Sequence, residues 1–102
     1  MKMSDQTTIV CRVLAKPEKR EFVKKVLLTL VDHTLTEKGC INFDLHQDNE
    51  NKNLFICYEN WESKEDWTRH YKKAKVLDDM TEFNKRALDD YTFNEVTMIE
   101  YI

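Results

Sequence analysis

The chain has 102 residues, of which 41% are hydrophobic and 34% charged, and its net charge at pH 7 is −3. This composition is typical of one folded domain and excludes a largely disordered chain. The slightly acidic charge favours neither nucleic acid nor an anionic membrane surface as a partner. The apolar runs are too short to span a bilayer and the N-terminus carries no apolar leader, so we expect a cytoplasmic protein without membrane contact.

The cysteine, histidine and glycine content indicates which cofactors to expect. Cys11, Cys40 and Cys57 are widely spaced and form no C-x-x-C pair, which favours reduced thiols over a disulfide framework or a zinc site. The three histidines are too far apart for metal-ligand spacing. A single glycine rules out a glycine-rich phosphate loop. We therefore expect no metal and no tightly held nucleotide cofactor.

The first elements are a strand and a helix. The alternating run T-T-I-V-C-R-V-L-A predicts a strand, and Pro17 suits the first turn of the helix that follows. Gly39 suits a left-handed cap at the end of that helix. The predicted apolar face of the helix repeats at three- and four-residue spacing, through Phe22, Val23, Val26, Leu27, Leu30 and Val31.

After Gly39 the apolar period changes to two. C-I-N-F-D-L-H-Q predicts a strand with Ile41, Phe43 and Leu45 on one face, D-N-E-N-K-N predicts a turn, and N-L-F-I-C-Y-E-N-W predicts another strand. S-K-E-D resembles a capping box that starts a second helix at Ser63. A further helical stretch over 76–87 and a last strand in T-F-N-E-V-T-M-I-E-Y-I complete the chain.

The element order β-α-β-β-α-β is that of the ferredoxin-like α+β fold, an antiparallel sheet with helices on one face. We expect a single domain over residues 1–102, with a core of about 7–101. All four strands carry apolar residues on both faces, so the uncovered face of the sheet needs a partner. The sequence therefore predicts a homodimer that pairs sheet to sheet.

A candidate site lies at the junction of the third strand and the second helix. Glu59 and Trp61 share the face that we assign to the helices, and a carboxylate in apolar surroundings has a raised pKa unless a partner stabilises its charge. His70 lies on the inward stripe of the helix, so a Glu59–His70 pair between Trp61 and Trp67 is a candidate general base with flat aromatic walls. Alternatively, Glu59 pairs with a lysine and only closes the corner.

Polar residues of the two middle strands are predicted on the opposite face. His46 and Tyr58 fall there together with Asn42 and Asp44. We interpret this set as a polar edge or a dimer interface in preference to a ligand site.

Residues 37–48 and 55–70 carry a family resemblance. The runs E-K-G-C-I-N-F-D-L-H-Q-D, N-L-F-I-C-Y-E-N-W and S-K-E-D-W-T-R-H resemble the antibiotic biosynthesis monooxygenase (ABM) family, and within it the small quinol-monooxygenase-like proteins. The resemblance implies a dimeric α+β barrel with a pocket between sheet and helices in each subunit. It also implies oxidation of quinols or phenolic aromatic substrates by O2, without metal, flavin or haem.

The resemblance assigns roles to particular residues. The family's Tyr-Glu-x-Trp falls on Tyr58, Glu59 and Trp61, and its helical histidine falls on His70. By this resemblance Glu59 and His70 are catalytic and handle the proton, while Trp61 and Tyr58 contact the substrate. The substrate-binding role that we give to Trp67 comes from the helical pattern and not from the family.

Other members of the family leave alternatives open. The resemblance also assigns Asn42 and His46 as substrate-binding residues, but less strongly than Tyr58 and Trp61. An isomerase of a small, phosphorylated metabolite would need a cation in the pocket, for which Arg12 and Arg69 are candidates. Haem-degrading members carry an asparagine early in the first strand, which is absent here. A non-catalytic ligand-binding or stress module with the same pocket is the remaining alternative.

Overall fold

The structure, a computed structural model, describes residues 6–76 and 85–99. A single 3-10 turn, Pro17–Lys19, precedes the first helix. The order is β-α-β-β-α-β, so the predicted α+β, ferredoxin-like plan is confirmed. The strands and helices are β1 Thr7–Ala15, α1 Arg20–Thr34, β2 Cys40–Gln47, β3 Leu54–Trp61, α2 Lys64–Val76 and β4 Leu88–Val96.

The four strands form one antiparallel sheet in the order β2-β3-β1-β4. The two central strands are therefore β1 and β3. Their register places Ile9 opposite Glu59 and Cys11 opposite Cys57. A side chain that projects from the middle of β3 toward the helices consequently lies deep in the domain.

Burial alternates along β1, and along β3 as far as Glu59, as the two-residue period requires. We call the buried side the helix face; it carries Val13, Phe55 and Cys57, which are at most 2% exposed. α1 packs its buried Val23 and Leu27 into the same core. We call the other side the open face, and it carries Val10, Arg12, Leu14, Ile56 and Tyr58.

The strand β2 contains an irregularity that the sequence does not reveal. Cys40 pairs with Trp61 and Asn42 pairs with Asn60, so the register shifts at the residue between them. That extra residue is Ile41, which is 50% exposed. The prediction that Ile41 shares a face with Phe43 is therefore wrong, because a bulge inserts one residue and reverses the alternation there.

α1 ends five residues before Gly39, at Thr34. The Thr36 hydroxyl donates to the His33 carbonyl at 2.7 Å and takes up an acceptor at the end of the helix. Gly39 has a φ of +85°, so its predicted left-handed conformation is confirmed, but it closes the turn before β2 and is not the helix cap.

β4 also differs from the prediction. It begins at Leu88 and ends at Val96, since β1 offers partners only from Ala15 back to Thr8. Residues 97–99 have no regular structure. The predicted helical stretch over 76–87 falls mostly on 77–84, outside the described residues. No helix in the described ranges is both long and apolar enough to cross a membrane.

We expect Gly39→Ala to lower the free energy of unfolding by at least about 1–2 kcal/mol, because an L-residue is strained at this φ. A Cβ at this position would also overlap the Asp66 carboxylate. Urea denaturation of Gly39→Ala, Asp66→Ala and the double variant separates the two effects. The overlap is refuted if Gly39→Ala costs the same in both backgrounds.

Candidate active site

Glu59 is a buried carboxylate at the centre of the helix face. It is 5% exposed and lies between Ile9 on β1 and Phe43 on β2. Trp61 is fully buried and donates its indole N–H to Glu59 Oε1 at 3.0 Å. Glu59 makes no ion pair with any residue that the structure describes. Its identified partner is thus the neutral N–H of Trp61. The alternative prediction had Glu59 pair with a lysine.

This environment changes the acidity of Glu59. Burial raises the pKa of its carboxyl from an ordinary 4.5 to about 7, and the negative charge of Glu37 acts in the same direction. The hydrogen bond from Trp61 stabilises the carboxylate and lowers the pKa, but it does not offset burial. At neutral pH both protonation states are therefore accessible, as a proton-transfer group requires.

His70 projects from α2 toward the same indole ring. It is 9% exposed, and its ring centroid lies 5.0 Å from that of Trp61, at an angle of 32°. Its Nδ1 lies 2.7 Å from Glu37 Oε2. No hydrogen bond joins His70 to Glu59 within the described chain. The predicted direct pair is replaced by a chain of contacts, Glu59–Trp61–His70–Glu37.

Glu37 takes part in this series of contacts but was not predicted from the sequence as a site residue. It lies in the turn after α1, 33 residues from His70. Its side chain is 12% exposed, so the contact with His70 is largely shielded from water. The available signal was E-K-G-C, whose glycine marks a turn that must approach another part of the chain.

The start of α2 holds that turn in place. The Asp66 N–H donates to Ser63 Oγ at 3.1 Å and the Ser63 hydroxyl donates to Asp66 Oδ2 at 3.0 Å, so the predicted cap at Ser63 is confirmed. Gly39 packs against the Asp66 side chain, and its carbonyl accepts the Glu62 N–H at 2.8 Å. These contacts hold the turn that contains Glu37 against the start of α2, so that Glu37 reaches His70.

Trp67 belongs to a separate aromatic cluster. Its ring lies 5.4 Å from Tyr71 and 5.5 Å from Phe93, and Tyr91 continues the cluster along β4. Residues three apart on a helix project about 60° from each other. His70 therefore turns toward β2 and β3 while Trp67 turns toward β4. The two tryptophans do not flank a common pair as predicted.

Asn42, His46 and Tyr58 lie on the open face, separated from Glu59 by the sheet. Tyr58 is 38% exposed, and a ring nitrogen of His46 lies 3.2 Å from the carbonyl oxygen of the nearby Asp44. Asn42 belongs to a polar network in which its Oδ1 accepts from Asn60 Nδ2 at 3.0 Å. The structure thus does not bring these three predicted substrate residues to the candidate base.

The cations proposed for a phosphorylated substrate are also placed elsewhere. Arg12 lies exposed on the open face, and Arg69 forms an ion pair with Asp66 at 2.9 Å on the outer side of α2. Neither favours the isomerase alternative. In residues 6–76 and 85–99, no group of three or more His, Cys, Asp or Glu side chains is arranged to hold a metal ion.

Comparison with known proteins gives a family and a fold. A family model described as antibiotic biosynthesis monooxygenase matches residues 7–84. Among curated proteins, the uncharacterized protein sll1783 of Synechocystis is 24% identical over 67 residues, which is 66% of this chain. The match spans only 46% of that relative's own length.

Solved structures agree over nearly the whole chain. PA3566 from Pseudomonas aeruginosa is 25% identical, with a TM-score of 0.84 over 98% of this chain and 100% of its own. A protein from Nitrosomonas europaea, described as a candidate antibiotic biosynthesis monooxygenase, is 17% identical, with a TM-score of 0.80 over 93% of this chain and 91% of its own. The second likeness bears on the fold alone.

We expect the stability of the protein to fall as pH rises through neutrality. The folded state binds the Glu59 proton more tightly than the unfolded chain, so this contribution is complete below about pH 4.5 and is lost as pH rises through about 7. The full effect is about 3 kcal/mol. Urea denaturation from pH 5 to 8 measures it, and Glu59→Gln should remove this part of the decline. An equal decline in both proteins would contradict the assignment.

We expect neutral His70 to carry its proton on Nδ1. The Glu37 carboxylate is an acceptor, so the bond at 2.7 Å requires the proton on the histidine nitrogen that faces it. Nitrogen chemical shifts of 15N-labelled histidine report the tautomer. Glu37→Gln should reduce the Nδ1–H population, and the exposed control Glu62→Gln should not. A dominant Nε2–H form in the unsubstituted protein would refute the pairing.

Proposed function

Because the chain belongs to the antibiotic biosynthesis monooxygenase family, we propose that it is a cofactor-independent monooxygenase that oxidises a quinol-like or phenolic aromatic substrate with O2. The observation that carries the proposal is Glu59, a buried carboxylate with a neutral hydrogen-bond donor and a pKa of about 7. A base with that pKa is matched to proton transfer at neutral pH.

In the proposed reaction the substrate supplies the electrons. Glu59 takes a phenolic proton, and the electron-rich anion transfers one electron to O2, which gives an aromatic radical and superoxide. These recombine at a ring carbon and form a C–O bond. The O–O bond then breaks, one oxygen stays on the ring, and the other leaves as water with two hydrogens from the substrate. A site shielded from water protects the radical pair.

Each residue of the contact chain has a part in this proposal. The Trp61 N–H holds one oxygen of Glu59, so the other oxygen is oriented toward the substrate. Glu37 occupies Nδ1 of His70, so Nε2 is the nitrogen available to exchange a proton with the departing oxygen. We assign the binding of the substrate ring to Trp61, with the separate cluster of Trp67, Tyr71 and Phe93 as a second aromatic surface toward β4.

We expect Glu59→Gln to reduce kcat/KM for O2 uptake with a reduced naphthoquinone by about 10²–10⁴-fold, the usual effect of a general base. The amide keeps the shape of the side chain but cannot take the proton. Glu62→Gln, an exposed glutamate just after the same strand, is the matched control and should retain wild-type activity.

The same assay includes an outcome that would overturn the proposal. If the unsubstituted protein consumes O2 no faster than the Glu59→Gln, His70→Ala double variant, the assignment of a monooxygenase is wrong. Conversion of the substrate under strict anaerobiosis would instead favour a proton-transfer enzyme such as an isomerase. Binding of an aromatic ligand without any product would favour a non-catalytic module.

We also propose that the protein works as a cytoplasmic homodimer paired through the open face. Val10, Leu14, Leu54 and Ile56 lie on that face, and Tyr58 beside them is 38% exposed. No element of the described chain covers them. Burying an apolar sheet face against a second copy removes it from water.

We expect light scattering at micromolar concentration to give twice the monomer mass. Ile56→Lys on the open face should shift the protein toward monomer, since a charge would be buried in the interface. Leu28→Lys on α1 is the control, because Leu28 is 50% exposed and lies away from the sheet face. A monomeric mass for the unsubstituted protein would disprove the dimer.

A further inference from the structure

Two of the three cysteines lie directly opposite each other in the centre of the sheet. Cys11 on β1 is the register partner of Cys57 on β3, and both are on the helix face, 7% and 2% exposed. Directly opposed residues of an antiparallel pair have Cβ atoms about 4.5–5.5 Å apart, and a disulfide needs about 3.5–4.5 Å. A small approach of two adjacent strands is therefore enough to join the sulfurs.

A third group completes this cluster. The Cys57 thiol and the Tyr91 hydroxyl act as donors toward the Cys11 sulfur and lower the pKa of Cys11, while burial and the negative charge of Glu59 oppose them. The bond to Cys11, together with burial, raises the pKa of Cys57. The Tyr91 hydroxyl acts on Cys11 and is not among the groups that act on Cys57, so we place the first thiolate of the pair on Cys11. The thiolate is the form that attacks an oxidant.

Cys40 provides an internal comparison. It lies on β2 opposite Trp61, and none of the described cysteines is its register partner. Burial and the negative charges of Glu59 and Glu37 raise its pKa to about 11. Cys40 thus lacks both a second sulfur and the donors that stabilise a thiolate.

We propose that Cys11 and Cys57 form a redox-active dithiol, which hydrogen peroxide oxidises to a reversible disulfide between β1 and β3. The Cys11 thiolate attacks one peroxide oxygen, the O–O bond breaks, and the other oxygen leaves and takes up a proton to give water. Cys11 is then a sulfenic acid. The Cys57 sulfur displaces its oxygen, which leaves as a second water. Two thiols lose two electrons and the peroxide gains two.

The disulfide forms beside the candidate base but does not depend on it. Cys57 precedes Glu59 by two residues on the same face of β3, so the dithiol lies next to that carboxylate in the interior. No step of the dithiol chemistry uses Glu59 or an aromatic substrate. The dithiol can therefore be tested whether or not the protein is a monooxygenase.

Peptide mapping of the folded protein tests the proposal. The folded protein is treated with hydrogen peroxide, then unfolded in denaturant so that buried thiols can be alkylated, and digested without reduction. Cleavage after lysine and arginine places Cys11, Cys40 and Cys57 in three different peptides. We expect a linked pair that contains Cys11 and Cys57 and is lighter by two hydrogens, with Cys40 alkylated. Dithiothreitol should restore both free peptides.

Two variants test the roles of Cys40 and Tyr91 in the formation of the disulfide. Cys40→Ser should still form the link, and Tyr91→Phe should form the same link several-fold more slowly, because one donor to the Cys11 sulfur is gone. Thermal unfolding of Tyr91→Phe shows whether its slower reaction reflects a disrupted fold. The proposal is overturned if Cys11 and Cys57 stay alkylatable after peroxide, if Cys40 forms the disulfide, or if Cys11 proceeds to a sulfinic acid without a link.

Discussion

A carboxylate held in an apolar interior, with an indole N–H as its hydrogen-bond donor, sets the requirements that the other contacts of the candidate site meet. Glu59 lies in a central strand between Ile9 and Phe43, and its charge is not neutralised by an ion pair within the described residues. Desolvation of a carboxylate is costly. The fold accommodates it because the group accepts a proton near neutral pH, which is also what makes it useful as a base.

The surrounding contacts make that carboxylate part of a larger arrangement. Trp61 uses its N–H on Glu59 and its ring on His70, while His70 is held by Glu37 from a distant turn. The two carboxylates lie on either side of the two rings and have different environments. Glu37 is paired with an imidazole, whereas Glu59 is desolvated, and the charge of Glu37 raises the pKa of Glu59 further.

Local pattern was enough to predict the element order and the position of Glu59. Alternation in β3 predicts that Glu59 and Trp61 share the buried face, and that face is observed. Local pattern could not predict three other features of the structure. The bulge at Ile41 depends on pairing with β3, the contact of Glu37 with His70 depends on how a turn packs on α2, and the extent of β4 follows from its partner strand. Each is a long-range property of the assembled sheet and helices.

Glu59 is expected to titrate near neutrality because it is buried without a counter-charge from the residues that the structure describes. Its side-chain carboxyl carbon, observed by NMR in 13C-labelled protein from about pH 4 to 9, reports this directly. We predict a titration midpoint near 7, assigned through the loss of that signal in Glu59→Gln. A midpoint near the ordinary value of 4.5 would show that the carboxylate is solvated or paired, and would remove the physical basis for its role as a base.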